Sequence, residues 1–236
     1  MIANLPPYIS AVFALTTIAT LLLFHRIIKN SDDEAIRKKA NGIALVLVVW
    51  LALQAVLALN NVYNSDLDFF PPKIAIFGVW PAIITIVVLF VSAKGRRFID
   101  SLPLVNITYL NTIRVAVEIV LYWLFLNKTI PQLMTFEGRN FDILAGLTAP
   151  FIAYFGFTKG ILNQKIILAW NFISLGLLAN IVINAVLSLP TPIQQFAFDQ
   201  PNIALLNSPF NWLPTFIVPI VLFGHLVSIR QLLKRK

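Results

Sequence analysis

Seven stretches of nearly unbroken apolar sequence divide this chain, each bounded by charge or proline: 8–28, 42–60, 74–93, 104–126, 141–157, 166–188 and 210–229. Crossing a hydrocarbon layer about 30 Å thick takes roughly 20 apolar residues as a helix. The pattern therefore predicts an all-α membrane protein of seven transmembrane helices, the fifth being the shortest. Basic residues follow the first stretch, at Arg26 and Lys29, rather than precede it, so it is expected to persist as a helix and not to be removed as a signal peptide.

The polar positions between the stretches give an orientation. Alternate connecting segments hold 14 and 3 Lys and Arg, and cytoplasmic loops are enriched in these residues. The N-terminus is accordingly predicted outside and the C-terminus in the cytoplasm. Trp80, Trp123 and Trp212 fall at the predicted outer boundary and Trp170 at the inner one, where amphipathic rings are favoured; Trp50 falls near mid-membrane. The last outer loop, 189–209, is rich in proline and is read as a connector.

Composition narrows the classes further. Of 236 residues, 58% are hydrophobic and 12% charged, against about a quarter charged in soluble domains. A disordered chain is excluded and an ordinary soluble domain is disfavoured, and the lipid bilayer is the first partner. The net charge of +8 belongs to the loops, so no nucleic-acid partner is expected. Without cysteine there is no thiolate metal site, thiol nucleophile or attached c-type haem. No metalloprotease, P-loop, dinucleotide-binding or nucleophile-elbow motif occurs, so neither an enzyme nor a metal site is expected. The absence of a large extramembrane domain points to a bacterial inner membrane.

An internal repeat is legible. Shifting the second stretch by 130 positions onto the sixth pairs Asn41 with Asn171, Gln54 with Asn184, and Ala55, Val56 and Leu57 with Ala185, Val186 and Leu187. A shift of 133 carries the third onto the seventh, pairing Pro81 with Pro214, Phe90 with Phe223 and Arg97 with Arg230. The single domain 1–236 is thus read as two parallel three-helix repeats, 8–93 and 141–229, joined by a linker helix at 104–126. In its pattern of spans the chain resembles the three-plus-one-plus-three architecture of SWEET and PQ-loop transporters, shared by microbial rhodopsins. The one Pro-Gln pair, Pro131-Gln132, lies in a loop, and the seventh stretch has no lysine to carry retinal. What the resemblance implies is a small solute bound between the halves near the midplane.

The candidate chemistry centres on the fourth stretch, where Asn111, Arg114, Glu118 and Tyr122 recur at spacings of three and four and share one helix face. An ionisable residue at mid-membrane faces the protein interior or a water-filled cavity, because its charge is costly in lipid. Glu118, one turn from Arg114, is expected to neutralise it, while the guanidinium fork holds an anionic group of the solute. Asn180 and Asn184 of the sixth stretch fall at a similar depth, and Gln54 with Trp50 is expected to close the same pocket. Asn140 or Asp142 is read as the N-cap of the fifth helix. No cofactor is expected, the outside case being a haem held by His25 and His225; alternatively His225 relays protons. The leading function is transport of a small polar or anionic solute. A ligand-binding sensor using the same pocket and an accessory protein whose polar residues serve packing are the alternatives.

Overall fold

The structure is a computed structural model that describes Ile2 and residues 4–234, and among them there is no strand. The helices are α1 (Pro7–Lys29), α2 (Glu34–Leu59), α3 (Trp80–Val91), α4 (Ala93–Asp100), α5 (Leu104–Leu110), α6 (Ile113–Leu126), α7 (Ile143–Ala153), α8 (Gln164–Leu187) and α9 (Val218–Lys234). All seven apolar stretches form helix. Five helices are long and apolar enough to cross a membrane, α5 and α6 together counting as one, and a sixth joins them if α3 and α4 are taken as one broken span. Leu45, Val46, Val91, Phe151 and Ile173 are more than 60% exposed, a lipid-facing surface that no soluble protein would tolerate over so many helices. The protein is a helical membrane protein.

Three π-helical turns punctuate the bundle: Ala75–Val79 before α3, Tyr154–Thr158 after α7 and Leu213–Ile217 before α9. In α3 and α9 the turn precedes a proline at the second helical position, Pro81 and Pro219. Each proline lacks an N–H and leaves unpaired the carbonyl four residues before it. Both carbonyls are answered from α2: Gln54 Nε2 donates to the Phe77 carbonyl at 2.9 Å, and Trp50 Nε1 to the Thr215 carbonyl at 3.0 Å. Trp212 Nε1 returns a bond to the Leu51 carbonyl at 2.9 Å. This shared arrangement sets Pro81 against Pro219, 138 positions apart, whereas the sequence alignment set it against Pro214.

The third stretch does not run straight out of the bundle. Between α3 and α4 the axis turns by 91°, because Ser92 is extended and caps α4, its Oγ accepting from the Gly95 N–H at 3.1 Å. A Cβ on Gly95 would lie 2.3 Å from the Leu89 carbonyl oxygen, so only glycine permits the fold-back. Phe98 then stacks on Phe223 at 6.2 Å and Ile99 is buried, while Lys94 and Arg97 are exposed. Such an amphipathic segment suits a membrane surface. Arg97 pairs with Asp33, the N-cap of α2, and Asp100 receives Arg230 and Lys234 from the end of α9. Residues 30–34, α4 and the end of α9 thus gather at one end. Loops 60–74, 127–142 and 188–212 gather at the other, tied by bonds from Asn64 to Asn207 and from Ile203 to Thr129. Loop 189–209 is no loose connector there, since Asn202, Ala204, Leu205 and Leu206 are buried. Arg235 and Lys236, part of the basic tail, lie outside the described residues.

Candidate functional site: a buried polar network

The fourth stretch forms α5 and α6 with a tightened turn between them, where the N–H groups of Asn111, Thr112, Arg114 and Val115 each bond three residues back. It places Asn111, Arg114 and Glu118 on one face, all at most 2% exposed. The partner of Arg114 is not Glu118. Its guanidinium meets Asp142 in a two-pronged ion pair, Nε donating to Oδ2 at 2.6 Å and Nη2 to Oδ1. Nη1 donates to His225 Nε2 at 3.1 Å and Asn111 Oδ1 at 3.4 Å, and Nη2 to the Ser174 carbonyl at 3.2 Å. All five N–H groups of an arginine are therefore directed at protein acceptors. The expectation that Arg114 holds a solute's anionic group is corrected on this ground: Asp142 occupies that place.

Asp142 reaches this depth because α7 starts inside the bundle. Loop 127–142 folds down along α6 until Asn140, fully buried, donates through Nδ2 to both carboxylate oxygens of Glu118 at 2.7 Å and to the Met134 carbonyl at 3.1 Å. Glu118 lies eight residues before the end of α6, about 12 Å at helical rise. One turn beyond Asp142, Gly146 lets α7 close on α6: a Cβ there would lie 2.9 Å from Val115 Cγ2 and 3.2 Å from Arg114 Cβ. The predicted N-cap is also refined, since Asp142 makes no capping bond. Instead Asn140 Oδ1 accepts from the Asp142 N–H at 3.0 Å.

His225 ends the chain of contacts. Arg114 can only donate, so Nε2 of His225 accepts and the ring proton sits on Nδ1, which donates to Asn171 Oδ1 at 3.0 Å. Asn171 Nδ2 in turn donates to the Ile167 carbonyl at 2.9 Å, and Trp170 packs 5.6 Å from the imidazole. Neither nitrogen of His225 is free for a metal. His25 lies elsewhere, bonded to Asn41 Oδ1 at 3.0 Å on the surface, so the residues do not fit a haem between the two histidines.

The remaining candidates separate from this network. Gln54 and Trp50 serve the proline-freed carbonyls, with Gln54 Oε1 accepting from the Tyr63 hydroxyl; burial pushes the Tyr63 phenol up to about 12. Asn180 donates to the Arg139 carbonyl at 2.7 Å and Asn184 to Asn180 Oδ1 at 3.2 Å. Tyr122 packs on Phe136 with ring centroids 4.9 Å apart. The single pocket expected from the sequence is thus four separate groups: the Arg114 network, Gln54 with Trp50, Asn180 with Asn184, and Tyr122. Sequence reasoning assigned Asp142 and Asn140 to capping and gave Asn171 no partner. The signal that marks them is polar side chains beside apolar ones, as in Asn140-Phe141-Asp142, where a plain connector would be polar throughout.

Residues 71–233 match the family described as Domain of unknown function (DUF8737). The chain belongs to this family. Every side chain of the network, from Asn111 to His225, lies within the DUF8737 segment, whereas α1 and α2 precede it. No curated protein and no solved structure matches the chain.

Proposed function

We propose that this is a seven-span protein, N-terminus outside and C-terminus cytoplasmic, that couples movement of a small solute to protonation of Glu118. The observation that carries the proposal is the charge balance of the network. Arg114 and Asp142 cancel, and His225 is fixed as a neutral tautomer. Glu118 is buried with one neutral amide as its partner and no ion pair among the described residues. The network is neutral when Glu118 holds a proton and carries one negative charge when it does not. A carboxylate so placed is the group able to accept and release a proton without breaking the Arg114–Asp142 pair, and intramembrane carboxylates of this kind recur in pumps and transporters. The proton step falls to Glu118 rather than to His225, whose lone pair Arg114 occupies. The three-plus-one-plus-three pattern of spans is compatible with such a carrier.

The test is infrared titration of the purified protein beside Glu118→Gln. A carboxylic-acid carbonyl band that disappears with rising pH in the wild type and is missing from the variant is the expected result, together with loss of proton uptake by reconstituted vesicles. A second reading, a packing role, is favoured by the saturation of Arg114. It gains if Glu118→Gln alters neither the spectrum nor proton uptake.

A further inference from the structure

A cleft of about 680 Å³ lies away from the polar network, between α2, α3 and α9. Leu47, Leu89, Phe216 and Phe223 are among its walls, and its deeper part is reached by Trp50. Its one charged feature is the pair Lys38 and Lys39 at the end nearest α4. Lys38 is held by Glu34 at 2.8 Å on the surface, while Lys39 makes no ion pair among the described residues. From Lys38 to Trp50 is twelve residues of α2, about 18 Å at helical rise. Half of a hydrocarbon layer about 30 Å thick is roughly 15 Å, so the cleft has the length of one lipid chain from headgroup level to bilayer centre. The polar atoms along it are spoken for: Thr85 Oγ1 donates to the Pro81 carbonyl and Trp50 to the Thr215 carbonyl. Gly42 sits two turns from Trp50 on the same face, and a Cβ there would meet nothing within 4 Å, which leaves the mouth open where any other residue would begin to fill it.

We propose that this cleft is a specific site for an anionic phospholipid, its headgroup on Lys38 and Lys39 and one acyl chain lying between α2 and α9 as far as Trp50. Basic residues at the end of an apolar cleft between membrane helices are the recognised chemistry of such sites. The π turn before α9 presents Phe216 to the cleft, and α9 presents Pro219 and Phe223 to it and His225 to the buried network, so the lipid would rest against the helix that closes the polar site. This inference goes beyond the proton-coupled reading and does not depend on it.

The experiment uses the full chain in vesicles whose phosphatidylglycerol or phosphatidylcholine, at equal mole fraction, carries brominated chains that quench tryptophan on contact. The Trp50 contribution is isolated by comparison with Trp50→Phe. Native mass spectrometry counts retained phospholipid on the wild type and on the two variants that leave Trp50 in place. Quenching and retention should favour phosphatidylglycerol. Lys39→Gln should reduce that preference roughly fivefold, the effect of about one basic residue at an anionic surface. Gly42→Leu, which adds a strong helix former into open space, should lower quenching and retention of both lipids. Equal occupancy by the two headgroups, unchanged by Lys39→Gln, overturns the proposal in favour of ordinary solvating lipid. Undiminished quenching and retention in Gly42→Leu overturns the placement of the chain.

Discussion

Arg114 and Asp142 form the buried ion pair of the network, the two residues being at most 5% exposed. Removing one of such a pair leaves an unpaired buried charge and costs about 3–5 kcal/mol, whereas replacing both by apolar residues of similar volume is near neutral. Arg114→Ala should therefore lower the unfolding midpoint in detergent far more than the double replacement Arg114→Met with Asp142→Leu. Equal losses in the single and double variants would show that the pair contributes little. Gly146→Val tests the same contact from the backbone side. It forces α7 off Val115 and is expected to be comparably destabilising, with Asp142 drawn away from the guanidinium. The sequence made half of this site legible. Helical spacing alone places Asn111, Arg114 and Glu118 on one buried face, because ionisable groups turn from lipid. It favoured Glu118 as the partner because the i,i+4 rule speaks only of neighbours on one helix. Which carboxylate reaches across from another helix depends on how closely the backbones approach, and that was decided by Gly146.

At the scale of the element, the prolines of α3 and α9 explain why α2 carries Gln54 and Trp50 one turn apart. An interhelical hydrogen bond in a membrane is worth about 0.6 kcal/mol on average, and its value here depends on the carbonyl being free. Gln54→Leu should cost about that much in the native background. The cost should shrink when Pro81→Ala restores an N–H and the Phe77 carbonyl finds its own helical partner; a double-mutant cycle on equilibrium unfolding reads the difference, and strict additivity would refute the account. The apolar runs were sufficient to find all seven helical stretches. They did not reveal the 91° turn after Val91, since hydropathy sees Ser92 and Gly95 only as the end of a run, while the turn comes from a cap and a missing Cβ. The short fifth run has a physical reason as well. Its helix with the following π turn, Ile143–Thr158, rises about 24 Å because it begins near the level of Glu118, partway along α6.

For the whole molecule, the two ends differ in how they are held. The end bearing α4 is tied by carboxylates: a hydrogen bond from Arg97 holds the Asp33 carboxyl below its ordinary value. At Asp100 partial burial raises the pKa, but the bonds from Arg230 and Lys234 outweigh it and leave it lowered. Depressed carboxylates contribute stability above their unfolded values, and that contribution is lost as pH falls through the lowered folded ones. Below about pH 4, near the ordinary carboxylate range, amide exchange in α4 should accelerate while that in α6 does not, and Asp33→Asn with Asp100→Asn should remove the acid dependence. The orientation proposed for the chain has an equally direct check, since the wild type has no cysteine. In right-side-out vesicles a membrane-impermeant maleimide should label Ser65→Cys but not Ala93→Cys, and the reverse pattern would invert the topology.

The descent of loop 127–142 into the bundle bears on how the protein is made. A lone arginine at the centre of an inserting helix costs about 2.5–3.5 kcal/mol, and a lone aspartate at the head of a short one adds to that cost. Neither α6 nor α7 is therefore a good passenger through the insertion machinery by itself. Their charges sit 28 residues apart in the chain and meet across a hairpin, so the pair enters the bilayer most cheaply as one unit, already neutral. On the seven-span proposal the buried ion pair thereby favours an order of assembly, in which α7 joins the membrane together with the helix before it.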